Sequence, residues 1–319
     1  MSTLTWMDGR LVPESQAVVP FLTAGLHYGM GVFEGIRCYD TAHGPAVFRL
    51  DDHVERLLAS ARILGFGPLP YDAAALSEAV HETVAANHLR ACYIRPLIYL
   101  ADGGMNLSLD TGRPRVGIAA WAWHDYHGGS ATAGIRVNVS SYTRHHPNAM
   151  PTHAKVAGNY VNSFLAKTEC SRLGFDDAVM LDTEGFVSEC TGENLFLVRR
   201  GTIFTPPVDS ALSGITRDTV MALAGDLSLR VVEERLVRDR LYSADEVFIC
   251  GTAAEVVGVR EIDMRPVGDG AVGPLTAAIQ REFREVVSGR HARSAGWLST
   301  APERPVSGTL ESQGVQAPR

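Results

Sequence analysis

Two long apolar runs, CYIRPLIYL at 92–100 and PRVGIAAWAWH at 114–124, do most to limit the architecture. Their apolar character is nearly continuous instead of alternating, which suits buried strands, so the sheet they form needs covering layers. Helices are available upstream. In DDHVERLLASARILG (51–65), Val54, Leu57, Leu58, Ala61 and Leu64 recur at helical spacing behind Asp51 and Asp52, which favour the positive N-terminal end, and Gly65 closes the helix. A second helix fits YDAAALSEAVHETVAANHL. A hairpin, WMDGRLV, turns at Asp8-Gly9, and strands continue through GVFEGIRCYD and PAVFRL. Residues 1–124 thus read as a small α+β domain.

The Gly-rich, small-residue stretch DYHGGSATAG (125–134) reads as an interdomain linker. Beyond it, strands in GIRVNVSSY, DDAVMLD, ENLFLVRRGTIFTP, LRVVEERLV and EVFICGTA alternate irregularly with helices near 159–173, 216–227 and 274–287. That pattern predicts a larger barrel-like or layered domain over 135–300, making the whole an α+β, two-domain protein. Residues 301–319 are rich in Pro, Gly, Ser and Gln and read as a flexible tail outside the fold.

Composition narrows the partners. A net charge of −7 over 319 residues, with a pI near 5.9, argues against nucleic acid or an anionic membrane and for small-molecule ligands. No run approaches the roughly 20 apolar residues of a membrane span, and the opening MSTLTWMDGRLVPE lacks a leader pattern, so a cytoplasmic location is expected. The five cysteines are odd in number and scattered without a CxxC pair, which suits reduced, buried thiols. The closest histidine groupings, His124/His127 and His145/His146, have no HExxH or cysteine companions, so no metal site is expected.

Of 29 basic residues only Lys155 and Lys167 are lysine. Arginine can replace lysine in solubility and phosphate binding, but only lysine forms an imine and then acts as a base. Lys167, in NSFLAKTECSRLG beside Thr168 and Glu169, reads as a solvated position on a helix ending at Gly174. Lys155 lies in NAMPTHAKVAGNYVNS, where Pro151 and Gly158 interrupt regular structure and Ala154 and Ala157 leave room for another molecule. It is the better candidate.

In SECTGENLF, Glu189 and Glu193 flank small residues just before an apolar strand, where a carboxylate can be held against a ligand. SGITRD and ICGTAAE each offer backbone N–H groups and a hydroxyl to an anion. An imine-forming lysine, a carboxylate for a heteroaromatic nitrogen and an anion cradle together match what pyridoxal 5'-phosphate needs.

From about residue 5 to residue 297 the chain resembles the branched-chain aminotransferases of the fold type IV, or class IV, pyridoxal-phosphate family. The resemblance runs in order through HYGMGVFEGIRCYD, YIRPLIYL, MPTHAKVAGNYVNS, SECTGENLF, TPP, SGITRD, DEVFICGTAAE and GWL. It implies that Lys155 carries the cofactor as an imine, Glu189 pairs with the pyridine nitrogen and Tyr160 bonds the phenolic oxygen. Arg56, Thr216, Thr252 and the Ile215 N–H would hold the phosphate. On the substrate side it implies Phe33, Tyr93, Arg95, Trp123, Tyr126 and the Thr252-Ala253 backbone. Tyr28 and Leu107 would reach a neighbouring subunit's pocket, so at least a homodimer is expected.

The implied reaction moves an amino group between L-leucine, L-isoleucine or L-valine and 2-oxoglutarate by a ping-pong mechanism, with amino acids and 2-oxo acids as partners. Met105-Asn106-Leu107 stands where bacterial members often carry Met-Gly-Val, and His153 precedes Ala154-Lys155 where alanine is common. Both departures bear on substrate specificity, Asn106 and Leu107 by narrowing or reshaping the side-chain pocket. Alternatives are a same-fold transaminase for an unusual L-amino acid, a D-amino acid or an amine, an aminodeoxychorismate lyase, an inert cofactor carrier, or a cofactor-free Schiff-base aldolase.

Overall fold

A computed structural model describes residues 3–102, 105–109, 112–123 and 133–300. The expected linker falls mostly outside them, as do Tyr126, His124, His127 and the C-terminal tail. Two sheets organise the described chain. The first runs in the order Leu298–Thr300, Gly44–Phe48, Ile36–Thr41, Cys92–Asp102, Arg113–Ala122, Leu4–Met7, Arg10–Pro13, with Gly31–Phe33 also pairing to Cys92–Asp102.

The two apolar runs form the long central hairpin of this sheet, Cys92 opposite Ala122 through Leu100 opposite Pro114. Successive side chains in a strand point to opposite faces, so each run divides into two sets. Cys92, Ile94, Ile98, Val116, Ile118 and Ala120 join Val54, Leu57 and Ala61 of helix Leu50–Ile63 and Leu76, Ala79 and Val80 of helix Ala73–Ala86 in one core. The opposite set carries the aromatic and charged groups. Tyr93, Arg95, Trp121 and Trp123 stack on that other face, with Phe33 beside them.

GVFEGIRCYD does not make one strand; it breaks between Gly31–Phe33 and Ile36–Thr41. At the break a Cβ on Gly35 would come 1.8 Å from Tyr93 Oη, so only glycine fits there. LRVVEERLV contributes only Val231–Glu233, pairing in parallel with Thr202–Thr205, which runs straight into Pro206-Pro207. Proline has no N–H to continue the ladder.

The second sheet runs Val187–Cys190, Asp177–Leu181, Ile135–Val139, Glu255–Ile262, Glu246–Gly251, Asn194–Arg199, Thr202–Thr205, Val231–Glu233, with Arg265–Pro266 pairing to Glu255–Ile262. One face packs Phe196, Phe248 and Val256 against helices Ile215–Asp226 and Pro274–Val287. The other face curls on itself, so that Val137, Val179, Val187, Leu195, Ile249 and Val257 share a core with the short helix Arg238–Tyr242. All five cysteines are free and buried.

Lys167 departs from its surface reading. On helix Tyr160–Arg172 its ammonium bonds Asp177 Oδ2 at 2.8 Å, and Asp177 is wholly buried. The other carboxylate oxygen accepts from Thr191 Oγ1 at 2.7 Å, so the pair ties this helix to the SECTGE segment. Polar neighbours in sequence concealed a partner ten residues away. Removing one member of a buried pair leaves an uncompensated charge, costing ~3–5 kcal/mol when both are fully buried. Lys167, a third exposed, should lose less: Lys167→Met is expected to lower the unfolding free energy by about 2 kcal/mol in urea titration.

Candidate active site

The segment around Lys155 is pinned between the two sheets. Lys155 N donates to Ser60 Oγ at 3.1 Å, its carbonyl accepts from Phe33 N at 3.0 Å, and Val156 bridges Val32. Gly158 approaches Gly29 so closely that a Cβ on Gly29, already at φ +67°, would meet Gly158 Cα at 2.8 Å. Ala154 and Val156 bury in the first sheet's core. The backbone is thereby fixed and the lysine side chain enters the cleft.

Its Nζ donates to Tyr160 Oη at 2.8 Å. Burial disfavours the ammonium, but the Tyr160 oxygen and the Glu34 carboxylate outweigh it, and the pKa ends above the ordinary lysine value. Lys155 must therefore shed a proton before it can attack a carbonyl. Phe33 closes one side: its ring lies 4.8 Å from that of Tyr160 and 5.3 Å from Lys155 Nζ.

Glu189 lines the same cleft. The pairing of Val187–Cys190 with Asp177–Leu181 shifts register between Val187 and Glu189, a bulge of the kind that re-aims side chains. Arg144 Nη2 meets Glu189 Oε1 at 2.6 Å, and Leu212 N donates to Oε2 at 3.2 Å. Burial nonetheless outweighs these donors and raises the carboxyl pKa. Arg144 is itself held by Asn162 Oδ1 and Ser163 Oγ, each at 3.2 Å.

Arg56, Ile215, Thr216 and Thr252 also line the cleft. Ile215 begins a twelve-residue helix whose first N–H groups and dipole favour an anion. Arg56 is oriented by Glu34, to which Nε and Nη2 donate at 2.6 and 2.8 Å, while Nη1 donates to the Ser213 carbonyl at 2.9 Å. Glu34 also accepts from His53 Nδ1 at 2.8 Å. Burial alone would raise the Glu34 pKa, yet Arg56 and His53 together hold it well below the carboxylate range.

The cleft thus gathers all seven residues expected at a cofactor: Arg56, Lys155, Tyr160, Glu189, Ile215, Thr216 and Thr252. Phe33, Tyr93, Arg95 and Trp123 extend the wall away from Lys155, with Arg95 Cζ 4.8 Å from the Phe33 ring and Tyr93 5.0 Å from Trp123. Ala253 follows Thr252 in the turn between strands Glu246–Gly251 and Glu255–Ile262. Tyr28 and Leu107 stand apart from this chain's cleft on exposed surface, Tyr28 Oη donating to the Met105 carbonyl at 2.9 Å. Exposed His153 has its Nδ1 3.4 Å from Ser213 Oγ.

Glu34, His53, Ser60 and Arg144 belong to the site but were not singled out in the sequence. His53, Arg56 and Ser60 fall at i, i+3 and i+7 on one helix, a polar stripe beside the apolar one. Arg144 carries no such signal. The cleft also suits a phosphorylated pyridine aldehyde by its chemistry: it gathers a guanidinium, a helix start, a lysine on a phenol and a buried carboxylate.

A model of amino-transferase class IV matches residues 31–262. The chain belongs to the class IV aminotransferase family. It is 46% identical over 293 residues to the branched-chain-amino-acid aminotransferase of Pseudomonas aeruginosa, covering 92% of this chain and 95% of that one. The solved structure of the Escherichia coli branched-chain amino acid aminotransferase superposes with a TM-score of 0.92 at 43% identity, covering 95% and 100%. That of a T.th. branched-chain amino acid aminotransferase complexed with N-(5'-phosphopyridoxyl)-L-glutamate gives 0.89 at 44%, covering 95% and 99%.

This aminotransferase buries one further carboxyl in the cleft wall. Glu193 accepts from Gly192 N at 3.0 Å, and burial, with Asp177 next, pushes its pKa up to about 8. The native protein then holds a proton that the unfolded chain releases near pH 4.5, so stability falls as pH rises from about 4.5 to about 8. Glu193→Gln removes that contribution. Urea midpoints of the cofactor-free protein between pH 5 and 9 should fall less steeply for the variant than for wild type.

Proposed function

We propose that this aminotransferase binds pyridoxal 5'-phosphate at Lys155 and moves an amino group between L-leucine, L-isoleucine or L-valine and 2-oxoglutarate by a ping-pong mechanism. The observation that carries the reading is Lys155 Nζ on Tyr160 Oη, set between the Arg56–Ile215–Thr216–Thr252 end and the Phe33–Arg95–Tyr93–Trp123 wall. Bound there, the cofactor supplies an aldehyde that condenses with amines and a pyridinium ring that accepts the electron pair of the broken Cα–H bond.

The chain's own groups do the rest. Arg56, the Ile215 N–H, Thr216 and Thr252 hold the phosphate; Glu189, backed by Arg144, holds a proton on the ring nitrogen; Tyr160 bonds the phenolic oxygen. Lys155 Nζ takes the proton from the substrate Cα and holds it for return. Phe33 and Trp123 suit a branched alkyl side chain. Arg95, whose Nε is buried without a hydrogen-bond partner among the described residues, is the cation available to the side-chain carboxylate of glutamate.

A homodimer completes the reading. Phe21 (75%), Leu22 (64%) and Leu26 (58%) expose large apolar side chains along one short stretch of chain, which favours a covering partner. Tyr28 and Leu107 would then serve the partner's pocket.

L-leucine, L-isoleucine and L-valine should each discharge the visible band of the cofactor-loaded enzyme, and D-leucine should not; a response confined to the D-form would overturn the assignment. Lys155→Ala should lower turnover with L-leucine and 2-oxoglutarate by at least about 10³-fold, within the range lost with a positioned proton-transfer group.

A further inference from the structure

The hairpin turn that carries Thr252 and Ala253 has an unusual end. Glu255 sits at φ +62°, the left-handed region that a residue with a Cβ seldom adopts without outside support. The support comes from the other sheet. Arg37 and Tyr39 lie two residues apart on strand Ile36–Thr41, on the face opposite core residues Ile36 and Cys38.

Both reach the same carboxylate oxygen: Tyr39 Oη donates to Glu255 Oε1 at 2.9 Å, and Arg37 Nη1 stands 3.4 Å from it. Arg37 Nη1 also donates to the Ala253 carbonyl at 3.5 Å, and its Cζ lies 4.8 Å from the Tyr39 ring centroid. The Arg37 side chain is 7% exposed and that of Glu255 30%, so the arginine end of these contacts is shielded from solvent. One guanidinium therefore grips the turn at Ala253 and at Glu255, with Tyr39 bracing both.

We infer that Glu255, Tyr39 and Arg37 are positioning residues that hold the Thr252-Ala253 backbone where its N–H meets the α-carboxylate of the substrate. The inference rests on the proposed reaction. None of the three is assigned to the chemistry; they act by fixing a peptide whose orientation decides carboxylate binding. Their effect falls on binding of the carboxylate and leaves proton transfer at Lys155 intact.

The test uses the cofactor-loaded enzyme and two conservative variants, Tyr39→Phe and Glu255→Gln. The probe is 4-methylvalerate, a carboxylate of leucine's shape with no amine. Each variant should bind it about tenfold more weakly and raise the KM for L-leucine about tenfold, as expected when a charge-assisted contact is lost. The kcat should stay within about twofold of wild type and the cofactor dissociation constant should not change.

Unchanged 4-methylvalerate binding in both variants, with wild type binding it, overturns this inference alone. Parallel losses of probe binding, cofactor binding and thermal midpoint also overturn it, because a simple tie between the sheets would produce them. A wild-type enzyme that ignores 4-methylvalerate overturns the proposed reaction as well.

Discussion

Four carboxyl groups are buried around one cleft, and their compensation governs the rest of the site. Arg56 meets Glu34, Arg144 meets Glu189 and Lys167 meets Asp177, each at 2.6 to 2.8 Å. Glu193 is left with a backbone N–H and takes up a proton instead. Such pairs add little net stability relative to apolar residues, but they fix where each charge sits. Arg56 can present its remaining N–H groups to an anion only because Glu34 and the Ser213 carbonyl have already set its plane. Preorganisation of this kind removes the cost of reorienting dipoles when charge develops in a reaction.

The first sheet converts strand alternation into chemistry. One set of side chains from 92–100 and 114–123 builds a core against two helices, and the other set faces the cleft as tyrosine, arginine and tryptophan. The lysine segment is fastened to this sheet and its covering helix through Phe33, Val32, Ser60 and Gly29, although Glu189, Thr216 and Thr252 come from the second sheet and the helix packed on it. The site exists only where the two sheets meet. That junction is also why Arg37 and Tyr39 can act on a turn 216 residues away.

Much of this was legible from residue type. A chain that keeps two lysines among 29 basic residues marks both, and Lys155 was separable by its Pro, Gly and Ala surroundings. Lys167 was misread because its partner, Asp177, lies beyond the end of its helix, where local polarity says nothing about burial. The α+β class and the helices 159–173, 216–227 and 274–287 followed from periodicity and match to within a residue at each end. Arg56 needed the family resemblance, since its own context is that of a helix-surface charge. Arg144 and Glu34 carry no periodic trace, because each lies outside the helices and strands and pairs with a residue on a distant element, Glu189 or Arg56.

Placing the chemistry at Lys155 and charge compensation at Lys167 is the central claim, and borohydride reduction of the cofactor-loaded protein followed by trypsin and mass spectrometry tests it directly. Trypsin does not cut after a modified lysine. The account predicts a pyridoxyl phosphate adduct on a peptide running from His145 through Lys167, uncut at Lys155. An adduct on the peptide from Val156 to Arg172, or none on either, would contradict it.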